Sequence, residues 1–282
     1  MKARIVFPSL VLFVLFLVGC NPSQTGETPQ GTAASAPANP PTAAAVEPRD
    51  LTVFAAASLT DAFNEIAEEF EAQNPGAQIV YNFAGSSQLA AQLNEGAVAD
   101  VFASANAAQM DAAAAADRIA AGSAVPFVSN RLAIIFPADN PAGITAFEDL
   151  AQPGVKLILA VPGVPVRDYT DEIVAAMPAD FQEQFYNNLV SEEDNVRQVS
   201  AKIALGEADA GIVYTSDVTP DIAGQVQKID IPDGQNVIAT YPIAPVSDSP
   251  HPDLAQAFIN FILSEAGQEI LSRWGFGPPP SH

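Results

Sequence analysis

The chain has few of the residues that redox and metal chemistry require. Its 282 residues include one cysteine, Cys20, and two histidines, His251 and His282. One cysteine forms no internal disulfide, and these residues are too few for a four-ligand zinc site. The sequence also lacks a Gly-x-Ser-x-Gly elbow, a phosphate-binding loop and a His-Glu-x-x-His motif. We therefore predict a protein that is not an enzyme and has no cofactor.

Positive charge is also scarce. The chain has 11 lysines and arginines against 33 aspartates and glutamates, a formal net charge of −22. A nucleic-acid-binding surface needs a basic face, so the composition argues against that class of partner. It does not exclude a small anion, because neutral hydrogen-bond donors can hold an oxyanion without a counter-charge.

The first 50 residues are not expected to belong to the folded part. Residues 1–19 form a basic start and an apolar run too short for a membrane span, ending in Gly19-Cys20. This pattern resembles a bacterial lipoprotein signal, which implies lipid modification of Cys20; the alternative is an ordinary secretion signal with a chance cysteine. Residues 20–50 are rich in Pro, Ala and Thr and are predicted to be a disordered tether.

The remaining residues alternate apolar strands with amphipathic helices, which predicts an α/β fold with mainly parallel sheets. We predict two lobes, residues 51–127 with 241–282 and residues 128–240, joined by two crossing strands near Phe127 and Tyr241. Residues 181–189 are predicted to be helical. Ligands of such folds bind in the crevice at the carboxyl ends of strands.

A strand followed by serine and a helix start occurs twice. Ser58 follows the apolar run 51–57, and with Asp61 it predicts a helix N-cap with an acidic first turn. Ser86 follows the predicted strand 78–83 in the same way. A serine hydroxyl beside free N–H groups at a helix start makes an anion site. The alternative is a plain cap that binds nothing.

Six motifs stand in the order seen in periplasmic molybdate-binding proteins, and the chain resembles that family over essentially all of residues 51–276. They are FAAASL at 54–59, FAGSSQL at 83–89, ADVFASA at 99–105, VP at 164–165, EDNVR at 193–197 and GIVYTSD at 211–217. The resemblance implies a type II periplasmic-binding-protein fold. It also implies an extracytoplasmic protein that captures molybdate, and also tungstate, for the permease of an ABC importer. With the lipoprotein-type signal at Cys20, we expect a lipid-anchored monomer.

The resemblance further implies the ligand contacts. Ser58 and Ser86 would each give a hydroxyl and an N–H group, Val166 and Val196 backbone N–H groups, and Tyr214 its phenol hydroxyl. For Tyr214 alone, an edge-strand aromatic is the alternative. A donor-only site would disfavour hydrogen phosphate, whose proton needs an acceptor. Another oxyanion, sulfate or thiosulfate, remains the alternative ligand.

One position departs from the family pattern. After Val166 the family commonly has glycine, whereas this chain has Arg167-Asp168. We expect Arg167 to be a surface residue paired with Asp168; the alternative is a charge close to the anion. The departure bears directly on the contact expected from Val166.

Overall fold

The structure, a computed structural model, describes residues 48–280. The predicted signal sequence, the lipid-modified Cys20 and the tether up to residue 47 lie outside these residues. No helix in the described part of the chain is both long and apolar enough to cross a membrane.

Strands and helices alternate along most of the chain, as the sequence pattern predicts. The strands are β1 Arg49–Ala56, β2 Ala77–Ala84, β3 Val101–Ala103, β4 Val125–Pro137, β5 Leu157–Ala160, β6 Leu189–Glu193, β7 Ala210–Tyr214, β8 Val226–Asp230 and β9 Ile238–Pro245. The helices are α1 Thr60–Gln73, α2 Ser86–Asn94, α3 Ala107–Ala115, α4 Pro165–Ala175, α5 Ala179–Asn187, α6 Val196–Ala204, α7 Pro252–Leu263 and α8 Glu265–Arg273. Short 3₁₀ turns precede α1 and follow β7.

The long strand β4 belongs to two sheets. In the first sheet, β1 pairs in parallel with β2 and β3, and β9 joins β3 to the residues 125–131 of β4. In the second sheet, β5 pairs in parallel with β6 and β7, while residues 132–137 of β4 pair with β7 and β8. The pairing partner of β4 thus changes between Arg131 and Leu132, a few residues beyond the predicted crossing at Phe127. Strand β9 contains the other predicted crossing, Tyr241.

The sheets are covered by helices that bury an apolar stripe. In α1, Phe63, Ile66 and Phe70 are buried, as their helical spacing predicts. The rings of Phe63 and Phe70 meet Phe258 of α7 edge-on, with centroid separations of 6.2 and 5.3 Å. This packing fixes the direction of α1, and therefore the position of the turn between β1 and α1.

Two sequence assignments were wrong. Residues 181–189 were expected to be helical, but α5 ends at Asn187 and Leu189 begins β6. The sequence of β6, LVSEE, lacks the apolar run of a buried strand, because β6 is half-exposed at the edge of its sheet. Arg49 and Asp50, assigned to the tether, already pair with β2 as the first residues of β1.

The contact between α7 and α8 gives a test of the packing. A Cβ atom on Gly267 would lie 2.6 Å from the carbonyl oxygen of Ile262 and would also clash with the carbonyl of Phe261. Because these are backbone atoms, we expect Gly267→Ala to lower the free energy of unfolding by about 1–3 kcal/mol. Chemical denaturation would measure this loss.

Gly224→Ala is the matched control, because a Cβ there meets open space. Its effect should stay within about 0.5 kcal/mol. Equal stability of the two variants would show that α7 and α8 are not packed as described.

Candidate functional site

A small cavity lies where the carboxyl ends of the two sheets face each other. It is bounded by the turn after β1, the first residues of α2, α4 and α6, and the last residue of β7. Its volume, counted as the space open to the centre of a water-sized sphere, is about 10 Å³, far below the roughly 300–1,000 Å³ of sites for drug-sized ligands. All five predicted residues line it: Ser58, Ser86, Val166, Val196 and Tyr214. The space suits a ligand of a few atoms.

Ser58 lies in this cavity for a different reason from the one its sequence suggests. It does not cap α1, which begins at Thr60 and has no side-chain cap. Instead it sits in the 3₁₀ turn Ala57–Leu59, and its Oγ atom is 3.0 Å from the hydroxyl oxygen of Tyr241 in β9. The cap prediction was wrong because a long-range partner, invisible in the local sequence, holds the side chain. Asp61 does lie in the first turn of α1.

Ser86 is the first residue of α2 and is fully buried. Its Oγ atom accepts a hydrogen bond of 3.0 Å from the backbone N–H of Ala105, just beyond β3. A backbone N–H can only donate, so the proton of the Ser86 hydroxyl is left to donate to another acceptor. The cavity that Ser86 lines is where a ligand would supply that acceptor.

Val166 and Val196 lie in the first turns of α4 and α6, respectively. Pro165 opens α4, where its fixed φ angle suits the first helical position. Asn195 caps α6 by accepting a hydrogen bond from the N–H of Gln198. N–H groups in a first turn have no intrahelical partner, so both helix starts offer donors and a partial positive charge.

Tyr214 ends β7 with its hydroxyl in the cavity wall. Its side chain is buried, and its hydroxyl has no hydrogen-bond partner among the described residues. Burial raises the pKa of this phenol well above its ordinary value, so the group keeps its proton. A buried hydroxyl without a partner costs free energy, roughly 1–3 kcal/mol. A ligand oxygen in the cavity would relieve that cost.

An ion-pair network lies behind the cavity. The Nε atom of Arg197, in α6, is 2.9 Å from the carboxylate of Asp217, and its Nη2 atom is 2.7 Å from the carboxylate of Asp61 in α1. The same Nη2 donates to the carbonyl oxygen of Ser58 at 3.3 Å. Asp217 also accepts from the backbone N–H of Tyr214, at 3.0 Å, and its burial raises its pKa to about 6. Arg197 therefore links Ser58 on one side of the cavity to Tyr214 on the other.

Arg167 is not the surface residue that we expected. Its side chain is buried and pairs with Asp171 at 2.7 Å and Glu192 at 2.6 Å, not with Asp168. It also donates to the carbonyl oxygen of Ala160. Asp168 instead accepts from the backbone N–H of Gly163, at 3.1 Å. Arg167 is thus occupied behind α4 and does not line the cavity.

The cavity has donors but no charged wall. None of the described residues that line it is acidic or basic, and the nearby Arg167 and Arg197 are each paired with two carboxylates. Hydroxyls and helix starts nonetheless surround it. Such an arrangement suits an anion held by hydrogen bonds and peptide dipoles.

Sequence reasoning missed Tyr241, Asn130 and Arg197. Tyr241 and Asn130 lie within strands β9 and β4, and strand residues of this kind carry no local mark of a site. Arg197 belongs to the EDNVR motif, which could have drawn attention to it.

The described geometry defines an α/β protein with a small, uncharged cavity where the strand ends of its two sheets meet. The comparisons with known proteins agree: residues 51–277 match the family of bacterial extracellular solute-binding proteins. The chain belongs to this family. This confirms the predicted α/β fold of type II periplasmic binding proteins, although each sheet here combines parallel and antiparallel strand pairs.

Individual relatives are similar over most of their length. The molybdate-binding protein ModA of Mycobacterium bovis is 40% identical over 268 residues, which cover 95% of both chains. The protein of the same name from Haemophilus influenzae is 32% identical, over 80% of this chain and 89% of its own. The periplasmic molybdate-binding protein of Azotobacter vinelandii superposes with a TM-score of 0.71, covering 82% of this chain and all of that chain, at 18% identity. At that identity the superposition supports the fold alone.

Proposed function

We propose that this protein is the extracytoplasmic molybdate-binding component of an ABC importer, and that it also takes tungstate. The observation that carries the proposal is the Tyr214 hydroxyl, which is buried, protonated and without a hydrogen-bond partner among residues 48–280, in a cavity lined by two further hydroxyls. A tetrahedral oxyanion supplies several acceptor oxygens at once. The names of the relatives support molybdate as that anion.

The proposed cage has donors from five residues, with Ser58 and Ser86 each giving a backbone N–H as well as a hydroxyl. Ser58, Ser86 and Tyr214 donate their hydroxyl protons, while Val166 and Val196 donate through the backbone at the starts of α4 and α6. The first turn of a helix offers its N–H groups towards an anion and contributes a favourable dipole. The site therefore needs no lysine or arginine, which is consistent with the uncharged wall.

A cage of donors selects for anions that carry no proton. Molybdate, tungstate and sulfate are fully deprotonated at neutral pH, whereas hydrogen phosphate has an O–H group that would find no acceptor. Leaving that group unpaired costs about 1–3 kcal/mol. Sulfate also carries no proton at neutral pH, so the discrimination between sulfate and molybdate rests on the size of the cavity.

The two lobes, as proposed from the sequence, would close on the anion about strands β4 and β9. Contact across the cleft supports this: Gly85, before α2, lies so close to Asp194, before α6, that a Cβ atom would be 2.6 Å from the Asp194 carbonyl oxygen. Hinge closure is a common response of two-lobed binding proteins to their ligand. The exact boundaries, 51–127 with 241–282 and 128–240, stay predictions.

The proposed lipid anchor would hold the protein at the membrane, where the permease lies. The mature chain would begin at Cys20, be held to the outer side of the cell membrane by its lipid, and act as a monomer. The Pro- and Ala-rich segment after Cys20 would stay flexible, because it cannot fold on its own. Such a tether would allow the binding domain to approach the permease.

The cage predicts specific losses of affinity. Hydrogen bonds to a charged partner contribute about 1.5–3 kcal/mol, so Ser58→Ala or Ser86→Ala should weaken molybdate binding by about 10- to 150-fold. Tyr214→Phe should cost less if a water replaces the hydroxyl. Val166→Ala and Val196→Ala should be nearly silent, because the backbone N–H survives. Isothermal titration calorimetry measures each constant.

Ser200→Ala is the matched control, since Ser200 is buried in α6 but does not line the cavity. It should bind molybdate as the wild type does. If folded Ser58→Ala and Ser86→Ala proteins also bind like the wild type, the cage is wrong.

Closure predicts that Gly85 must stay small. In Gly85→Ala the added methyl group would push the Asp194 carbonyl away and hold the cleft open. With an overpacking cost of about 1–3 kcal/mol, molybdate affinity should fall by about 5- to 150-fold. Gly224→Ala serves as the control in the same titration. Unchanged affinity in Gly85→Ala would mean that this approach does not form in the liganded protein.

The anchor is tested at Cys20. Expressed in a bacterium with its own lipoprotein pathway, the full chain should sediment with membranes, and Cys20→Ala should be found in the soluble fraction. A thioether-linked lipid on Cys20 should appear in the mass spectrum of the mature protein. An unmodified Cys20 in that protein would contradict the proposal.

A further inference from the structure

The amide of Asn130, in β4, has a fixed orientation. Its Oδ1 atom accepts from the backbone N–H of Arg131 at 2.9 Å and from the hydroxyl of Thr215 at 3.0 Å. A flipped amide would place its NH₂ group against the N–H of Arg131, two donors facing each other. The Nδ2 atom must therefore point the other way, where it donates to the hydroxyl of Ser216 at 2.8 Å and to that of Tyr241 at 3.4 Å.

This orientation sets the direction of the next hydrogen bond. The hydroxyl oxygen of Tyr241 accepts a hydrogen bond from the Nδ2 atom of Asn130, and its own proton remains available for donation. Its other hydrogen-bond partner is the Oγ atom of Ser58, at 3.0 Å. Tyr241 is fully buried, and burial raises its pKa well above the ordinary value, so the phenol stays protonated. If Ser58 donated instead, the Tyr241 proton would find no acceptor in a hydrogen bond among the described residues, so the geometry favours donation from Tyr241 to Ser58.

The chain of donors ends in the cavity. Once Ser58 accepts from Tyr241, the proton of Ser58 is free to donate to a ligand. Ser86 is in the same position, with the backbone N–H of Ala105 in the role of Tyr241. Both serine hydroxyls are thus left as hydrogen-bond donors towards the cavity. For Ser86 the group behind it is a backbone N–H, and for Ser58 it is the pair of side chains Tyr241 and Asn130.

We propose that Asn130 and Tyr241 are positioning residues that fix Ser58 as a hydrogen-bond donor, and thereby set the discrimination against oxyanions that carry a proton. The proposal rests on the anion site proposed above. Without the Tyr241 hydroxyl, Ser58 could rotate and accept the proton of hydrogen phosphate. Selectivity would then fall although no residue in contact with the ligand had changed.

Asn130 and Tyr241 lie on β4 and β9, the two strands that connect the proposed lobes. Asn130 pairs with Ala239 where β4 and β9 run side by side, and Tyr241 pairs with Val128 there. Ser216 and Thr215, the other partners of Asn130, follow β7 in the second sheet. The hydrogen-bond relay from Asn130 through Tyr241 to Ser58 is therefore built from the two connecting strands and from a turn of the proposed second lobe. It acts on Ser58, which belongs to the proposed first lobe.

The experiment compares two dianions of nearly equal size. In mildly alkaline buffer sulfate has no proton and hydrogen phosphate has one, so the ratio of their affinities reports on the polarity of the site. Both constants are obtained by displacing bound molybdate from the full chain. In the wild type we expect sulfate to be favoured by about 5- to 150-fold, the equivalent of one unpaired hydroxyl.

Tyr241→Phe keeps the ring and its contacts with Tyr214 and Phe276, but loses the hydroxyl. The ratio of sulfate to phosphate affinity should fall by about fivefold or more. Asn130→Ala leaves Tyr241 free to donate or accept and should lower the ratio less. It also provides the test should Tyr241→Phe fail to fold.

Tyr81→Phe is the matched control. It removes a phenol that donates to the carbonyl oxygen of Phe63, in the first sheet and away from the cavity. A general loss of stability would affect it similarly, yet its ratio should equal that of the wild type. An unchanged ratio in folded Tyr241→Phe or Asn130→Ala would overturn the relay alone. A wild type that binds none of the three anions would overturn the proposed function and the relay together.

Discussion

A buried hydroxyl must satisfy both its proton and its lone pairs, and the site of this protein depends on that requirement. Behind the cavity, the Oγ atom of Ser86 accepts from a backbone N–H, and that of Ser58 lies against a phenol which itself accepts from Asn130. Because these Oγ atoms accept hydrogen bonds on the side away from the cavity, their protons are left to point into the cavity. Tyr214 contributes a hydroxyl that has no partner among the described residues. The local result is a surface of donors that only an acceptor-rich ligand can complete.

The fold brings these donors together. Parallel strands end at a common edge, and β2, β5 and β6 are each followed by a helix whose first residues line the cavity. The shared strand β4 sets the carboxyl edges of the two sheets opposite each other. Arg197 then joins the two walls through Asp61 and Asp217, which balances its charge behind the cavity rather than within it. The site can remain uncharged in a strongly acidic protein.

Much of this arrangement could be predicted from the sequence. The alternation of strands and helices indicates the α/β fold, and the serine-containing turns after two strands mark Ser58 and Ser86. Val166, Val196 and Tyr214 came from the family resemblance, and in the structure all five residues line the same cavity. Their binding of a ligand stays a prediction.

Other features depend on contacts between distant residues, which a local pattern does not contain. Ser58 has the sequence of a helix cap, but Tyr241, 183 residues away, holds its side chain. Arg167 looks like an exposed charge, yet Asp171 and Glu192 balance it in a buried position. The edge strand β6 lacks an apolar run because one side of it is open to solvent. In each case tertiary contacts override the local signal.

The central claim is that a donor-only cage holds an oxyanion between the lobes, and anomalous diffraction from crystals grown with molybdate tests it most directly. The account predicts one strong molybdenum peak in the cavity, with its oxygens roughly 2.5–3.0 Å from the hydroxyls of Ser58, Ser86 and Tyr214 and no charged side chain in contact. A peak elsewhere, or an anion bound to the guanidinium of Arg167 or Arg197, would contradict it.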